Sequence, residues 1–223
     1  MGSYLAEHGF KIRQDCTICK SEKDLVWTVR LTFNTYDTIH LKSISCRIKE
    51  VSLEKASIDV LYGHLSKEQI NDSLKQAVTL YGPFKVVGVD IYHDEQIHLF
   101  AIAFKDFFEK EMLPFFYKYS EIQSLNIKYQ EYDLEYKEGV GYIGSFHEFA
   151  MSRNFLGFFF QDDSVSRRAL TMKFSHDPKV NDFIKWYQSC IESGQVGLES
   201  SKDYYLEVVQ KLINWEVPEK YLK

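Results

Sequence analysis

The chain has 223 residues, and its 27 Lys and Arg against 32 Asp and Glu give a formal net charge of −5. Apolar residues make up 45% and aromatic residues 16% of the sequence, with only 11 Gly and 4 Pro. These proportions exclude disordered and collagen-like chains, which are poor in apolar residues or rich in Gly and Pro. Lys105, Lys110 and Lys118 interrupt the Phe-rich stretch, so no run reaches the length of a membrane helix. We expect a soluble protein, and the N-terminal residues lack a secretory pattern, which predicts a cytoplasmic location.

The first third of the chain alternates between apolar and polar residues, which is typical of antiparallel strands. From Leu25 to Phe33 every second residue is apolar, and this predicts a strand with one buried face. A second strand begins at Ile39, but its apolar positions shift by one near Ser43, which predicts a β-bulge. Shorter strands are predicted at Phe10 to Ile12 and at Ile58 to Tyr62.

Helix signals begin at Ser66, which forms a capping box with Gln69. The apolar spacing that follows extends this helix to Tyr81, where Gly82 and Pro83 are predicted to end it. Further helices are predicted from Asp106 to Tyr119 with a bend at Pro114, from Ser145 to Asn154, from Asp177 to Gly194, and from Lys202 to Trp215.

The middle of the chain predicts further strands at Phe84–Tyr92, Ile97–Phe104, Leu125–Tyr136, Leu156–Phe160 and Ala169–Phe174. The first two form a hairpin that matches the earlier hairpin at an offset of 58 positions, which allows an internal duplication. The predicted fold is α+β: a mainly antiparallel sheet built from hairpins, with four or five helices packed on it. One domain covers residues 1–223, with a soft joint near residues 138–144 and two similar halves as an alternative.

A glycine-rich string provides one hypothesis for a ligand site. Gly139, Gly141 and Gly144 have the G-x-G-x-x-G spacing of a dinucleotide-binding turn, and Asp162 follows where a ribose-binding acid is expected. The preceding segment is strongly polar, whereas a phosphate-binding strand is buried on both faces. A flexible turn is therefore the alternative interpretation of the same glycines.

Cysteines provide a second hypothesis. Cys16 and Cys19 form a C-x-x-C pair, which is half of a zinc site. No second pair follows at the expected distance, so reduced thiols are the alternative, and we expect no cofactor.

Charge provides a third hypothesis. Residues 105–148 carry nine acidic residues and five lysines, whereas residues 1–50 carry eight basic and six acidic residues. In the predicted strand, Glu131, Asp133 and Glu135 alternate with apolar residues and would share one face. Such a face attracts a basic protein and repels nucleic acid. We therefore predict partner binding through these carboxylates, and no binding of nucleic acid or membrane. A solvated outer face that keeps the protein soluble is the alternative interpretation. Arg167 and Arg168, the only adjacent basic pair, are too few for a phosphate-binding track.

The sequence contains no recognisable catalytic motif, which favours a protein without enzymatic activity. The leading hypothesis is a cytoplasmic protein-interaction protein, in its narrowest form an immunity-type inhibitor of a basic toxin. The alternative is a small-molecule or nucleotide-binding domain or enzyme that uses the turn from Gly139 to Gly144. A third hypothesis is a subunit whose aromatic stripe near residues 107–119 is covered by a second copy.

Overall fold

A computed structural model of the chain describes residues 2–15, 17–35, 39–62, 65–135, 161–193 and 202–219. The α+β class is confirmed. The chain divides into two compact units, one formed by Met1–Val51 and Val78–Ser120 and the other by Ser52–Ala77 and Glu121–Lys223. We call them unit 1 and unit 2. The single domain stays a prediction, and the joint predicted near residues 138–144 lies outside the described residues.

Five described strands form one antiparallel sheet in unit 1, and its spatial order follows the chain. The strands are β1 (Lys11–Ile12), β2 (Thr17–Glu22), β3 (Leu25–Thr35), β4 (Ile39–Glu50) and β5 (Leu80–Ile91). The described helices are α1 (Gly2–Glu7), α2 (Val51–Tyr62), α3 (Lys67–Gln76), α4 (Asp94–Phe107), α5 (Leu113–Lys118), α6 (Ile122–Glu135), α7 (Gln161–Phe174), α8 (Val180–Glu192) and α9 (Lys202–Asn214).

The hairpin of β3 and β4 confirms the strand pattern of the first third. Thr32 lies opposite Ser43 and Phe33 opposite Leu41, so Lys42 is an extra residue in β4. This is the predicted bulge. The partner strand β5 also departs from a regular ladder at two places, near Gly88 and near Pro83.

Four predicted strands are wrong, because the structure has helices at those positions. The segments are Ile58–Tyr62 in α2, Ile97–Phe104 in α4, Leu125–Tyr136, most of which lies in α6, and Ala169–Phe174 in α7. Short apolar runs fit a buried strand and a buried helix equally well, so periodicity alone did not separate them. The described residues therefore hold more helices than the four or five predicted. The internal duplication allowed by the sequence is not supported, because the segment that matched β4 is the helix α4 and forms no second hairpin.

Three helix predictions are confirmed, with changes at their ends. Ser66 caps α3 and Gln69 completes its capping box, but α3 ends at Gln76, and Gly82 and Pro83 lie within β5. Asp177 Oδ1 accepts a hydrogen bond from the backbone N–H of Lys179 at 2.9 Å, just before α8. The C-terminal helix is α9.

The helix predicted to begin at Asp106 begins twelve residues earlier, at Asp94. A π-helical turn from Phe108 to Met112 separates α4 from α5, and Pro114 follows directly in the first turn of α5. Proline has no N–H to donate to the preceding turn, so the wider turn lets the chain continue, as the predicted bend required.

Alternation along the strands gives the sheet two different faces. The covered face carries the apolar residues packed beneath the helices, namely Ile18, Trp27, Val29, Leu41, Ile44, Cys46, Ile48 and Leu80. On it, Trp27 stacks on Phe116 of α5 with ring centroids 5.2 Å apart. Phe108, Met112 and Tyr119 are also buried, so most of the aromatic stripe near residues 107–119 belongs to the core of unit 1.

The open face carries the alternate residues. Cross-strand partners share a face of an antiparallel sheet. The register gives these sets for the open face: Lys11, Cys19, Thr28, Arg47 and Tyr81; Thr17, Arg30, Ser45 and Phe84; Thr32, Ser43 and Val86; Asn34, His40 and Asp90; Ser21, Val26 and Lys49. Cys19 and Thr28 are buried on this face, whereas Arg30, Phe84 and Val86 are exposed.

Unit 2 has a helical core with charged residues inside it. Its main cluster of buried apolar residues comes from α2, α7, α8 and α9 and comprises Leu53, Ala56, Val60, Leu61, Ala169, Leu170, Met172, Phe183, Ile184, Tyr187, Ile191, Val208, Val209 and Leu212. Leu125 and Tyr129 of α6 are also buried. Glu54 accepts from Arg167 at 2.9 to 3.1 Å, and Arg168 Nη1 donates to Asn126 Oδ1 at 2.6 Å. Arg167 and Arg168 therefore lie inside unit 2, which excludes them from a surface track.

Candidate functional site

The three carboxylates predicted to bind a partner lie in a helix. Glu131, Asp133 and Glu135 belong to α6, so the strand that placed them on one face is wrong. In a helix, positions two apart are separated by about 200° around the axis. Position 133 is therefore on the opposite side from positions 131 and 135. A role of these residues in binding stays a prediction, without the shared face.

The glycine hypothesis falls mostly outside the described residues, because Gly139, Gly141 and Gly144 are not among them. Asp162 is in the first turn of α7, a helix, whereas the sequence placed it at the end of a strand. The nucleotide site stays a prediction.

Cys16 also lies outside the described residues. Cys19 is buried in β2 opposite Thr28, as a free thiol. Across the described ranges, no group of three or more His, Cys, Asp or Glu is arranged to hold a metal ion. The half-site for zinc therefore has no partner ligands within those ranges.

Helix α4 includes residues 97–104, for which the sequence predicted a strand. Its first turn contains Asp94 and Glu95, and acidic residues there interact favourably with the helix dipole. The side-chain Oε1 of Gln96 accepts hydrogen bonds from the backbone N–H groups of Tyr92 at 2.6 Å and His93 at 3.1 Å. These are helix-start signals, and they were present in the sequence.

The C-terminal half of the inner side of α4 is anchored by aromatic residues, whereas Ile97, seven residues before Phe104 on the same side, is 50% exposed. Phe104 is fully buried and stacks on Phe108 with centroids 5.8 Å apart, and Phe100 lies 6.0 Å from Phe104. At the C-terminal end, the hydroxyl of Tyr4 donates to Glu109 Oε1 at 2.8 Å. Burial and this carboxylate raise the pKa of Tyr4 well above its usual value, so the hydroxyl stays a donor.

The outer side of α4 is apolar where a surface helix is normally polar. Glu95, Leu99, Ile102 and Asp106 follow one another at spacings of four, three and four residues, so they form one stripe along the helix. We call this the α4 stripe. Leu99 is 60% exposed and Ile102 57% exposed. No Asp, Glu, Lys or Arg occurs between Gln96 and Phe104. The stripe therefore presents two large apolar side chains with a carboxylate at each end.

The surroundings of the α4 stripe are acidic. From Tyr92 to Met112 the chain has five acidic and two basic residues. Both lysines lie beside carboxylates: Lys110 Nζ is 2.6 Å from Asp106, and Lys105 Nζ is 3.8 Å from Glu109 and 4.6 Å from the centre of the Tyr4 ring. The field near the stripe is therefore negative, which favours a positively charged partner.

None of the helices within the described ranges combines the length and apolar character needed to cross a membrane. No protein-family model, curated protein or solved structure matches the chain.

Proposed function

We propose that the protein is a protein-interaction protein whose partner docks on the α4 stripe. The observation that supports this is the exposure of Leu99 and Ile102 on the side of α4 opposite its buried aromatic anchors. Exposed apolar side chains at helical spacing are the usual anchors of a helix that enters a partner's groove.

The carboxylates at the ends of the α4 stripe indicate which charges its partner should have. Glu95 and Asp106 lie at the two ends of the apolar pair, and Lys110 pairs with Asp106 at 2.6 Å. A complementary surface therefore has an apolar centre with Lys or Arg above all on the side of Glu95. This agrees with the basic partner expected from the sequence, although it uses other carboxylates than Glu131, Asp133 and Glu135. An inhibitor of a basic toxin is a narrower form of the same proposal.

A second copy of this chain is a poorer fit. If two α4 helices pair antiparallel about the midpoint of the stripe, Glu95 of one copy lies opposite Asp106 of the other. If they pair parallel, Glu95 meets Glu95 and Asp106 meets Asp106. The parallel arrangement brings like charges together and costs binding energy. In the antiparallel arrangement Glu95 meets an Asp106 that pairs with Lys110 at 2.6 Å, so the repulsion there is smaller.

The test uses site-specific photo-crosslinking in the native cell. A photoreactive residue at position 99 is compared with one at position 127, because Ile127 of α6 is also about half exposed. We expect a crosslinked partner at position 99 only, with an apolar and basic surface. Equal crosslinking at both positions, or no crosslink at position 99, contradicts the proposal.

The purified partner then allows a quantitative test. Leu99→Ala with Ile102→Ala should speed dissociation, because the variant lacks the apolar contacts. Glu95→Lys with Asp106→Lys should slow association, and this effect should shrink as salt is raised. Ile127→Ala is the control and should change neither rate. A homodimer at micromolar concentration that Leu99→Ala abolishes would show a second copy as the occupant and overturn the proposal of a different partner.

A further inference from the structure

We propose that the open face of the sheet in unit 1 binds single-stranded nucleic acid. The proposal is independent of the α4 stripe. It rests on the residues that the strand register brings together on the face opposite the helices of unit 1, where Arg30, Tyr81, Phe84 and Val86 are exposed.

The register concentrates positive charge on this face. Lys11, Arg30, Arg47 and Lys49 come from three different strands and from distant positions in the sequence. Among the residues of the same sets, Asp90 is the acidic one, and its Oδ1 lies 2.7 Å from Nδ1 of His40. Asp15, which precedes β2, is a second carboxylate close enough to act on the charge of Arg47. The chain as a whole is acidic, but this face is basic, which gives a reason to revise the expectation that nucleic acid is repelled.

Arg30 and Arg47 lie close together in spite of their like charge. Arg30 is opposite Ser45, and Arg47 is two residues further along β4. Burial lowers the pKa of Arg47 and the neighbouring charge of Arg30 lowers it further, while Tyr81 and Asp15 act in the opposite direction. Two guanidinium groups on neighbouring strands form a suitable phosphate-binding site, because a phosphate can accept hydrogen bonds from both.

Aromatic side chains lie beside the arginines. Phe84 belongs to the same cross-strand set as Arg30, and Tyr81 to the same set as Arg47. Phe84 is 62% exposed, and its neighbour on the open face, Val86, is 73% exposed. Unpaired bases stack on exposed aromatic rings of a sheet while basic residues hold the backbone.

The same geometry argues against a duplex. Five strands spaced about 4.8 Å apart make a surface about 19 Å wide, whereas the major groove of DNA is about 12 Å wide. A duplex also keeps its bases stacked, so that Phe84 would have no base to contact. An acidic peptide could neutralise the arginines, but it would not need the ring of Phe84.

The experiment measures binding of the full chain to a fluorescent 12-nucleotide oligouridylate by anisotropy, from 50 to 200 mM salt. We expect log Kd to change with log salt with a slope of about 2, because about three basic residues contact phosphates. Phe84→Ala should weaken binding about 5- to 150-fold through the loss of one stacked base. Arg30→Gln should weaken binding and reduce the slope by about 0.7.

Two residues of β5 on the other face serve as matched controls. Lys85 lies opposite Ile44 and Val89 opposite Leu41, on the covered face. Lys85→Gln makes the same charge change as Arg30→Gln one residue from Phe84, and both Lys85→Gln and Val89→Ala should change Kd less than twofold.

Three outcomes overturn the proposal: no binding of the oligouridylate at 50 mM salt, an equal loss from Lys85→Gln and Arg30→Gln, or unchanged affinity of Phe84→Ala. The last outcome, with displacement of the oligonucleotide by polyglutamate, would identify an acidic protein as the occupant of this face.

Discussion

The two faces of the sheet in unit 1 use similar residue types for opposite purposes. Trp27 and Phe84 are both large aromatic residues on β3 and β5, yet Trp27 is 1% exposed and Phe84 62% exposed. Lys20 lies over the ring of Trp27 at 4.7 Å on the covered face, whereas Arg30 is exposed on the open face. Residue type alone therefore does not separate core from binding surface; the strand register does.

The largest expected effect is on the covered face. Trp27→Ala removes a ring that stacks on Phe116, and we expect a loss of about 3–5 kcal/mol in the free energy of unfolding. Urea unfolding followed by far-UV circular dichroism measures it. A loss below 1 kcal/mol would mean that the two faces do not differ as described.

Gly82 tests how closely the covered face is packed. A Cβ at this position would meet the ring of Phe115 and lie 2.6 Å from Cys46 Sγ. We expect Gly82→Ala to cost about 1–3 kcal/mol through overpacking. Gly88→Ala is the control: it has nothing within 4 Å, but its φ of +59° costs about 1 kcal/mol for a residue with a Cβ. A Gly82→Ala variant as stable as wild type would contradict the contact.

Cys46 gives the covered face a dependence on pH. Burial raises the pKa of its thiol from 9.0 to about 12. Between these values the unfolded chain releases the proton while the folded chain keeps it, so stability falls as pH rises above 9. The loss reaches about 1.4 kcal/mol at pH 10.

Unfolding of wild type and Cys46→Ala at pH 7.5, 9 and 10 isolates this contribution from other titrating groups. The free energy of unfolding of wild type should fall relative to that of Cys46→Ala as pH rises. A difference that is constant with pH would show that the thiol is accessible to water.

The smallest effect is expected on the open face. Phe84→Ala should change the free energy of unfolding by less than about 0.5 kcal/mol, because an exposed side chain contributes little to stability. Urea unfolding alongside Trp27→Ala makes the comparison direct. A loss of 2 kcal/mol or more would place Phe84 in a packed environment and remove it from the proposed binding face.

The parts of unit 1 with clear alternation were predictable from sequence. β3, β4 and the bulge near Ser43 followed from the period of two, since each strand has one apolar side. The capping box at Ser66 similarly located the start of α3. These features depend on residues close together in the chain, so local sequence determines them.

The candidate site was missed for a physical reason. Ile97–Phe104 is apolar on all sides, a pattern that predicts burial for either a strand or a helix. Asp94, Glu95 and Gln96 did indicate a helix start, but they also fit a turn. Exposure of Leu99 and Ile102 depends on what packs around α4, and the basic open face depends on the pairing of distant strands. Neither property can be predicted from the spacing of residues within one segment.

The irregularities of β5 have a consequence for how this protein behaves at high concentration. Between its two departures from the ladder, only Phe84, Lys85 and Val86 pair in regular succession with β4. Fibril-forming segments need about six regular residues and tolerate no proline, and Pro83 lies directly before this short run. The strand can therefore display large apolar side chains at the edge of a sheet without becoming a template for the growth of amyloid.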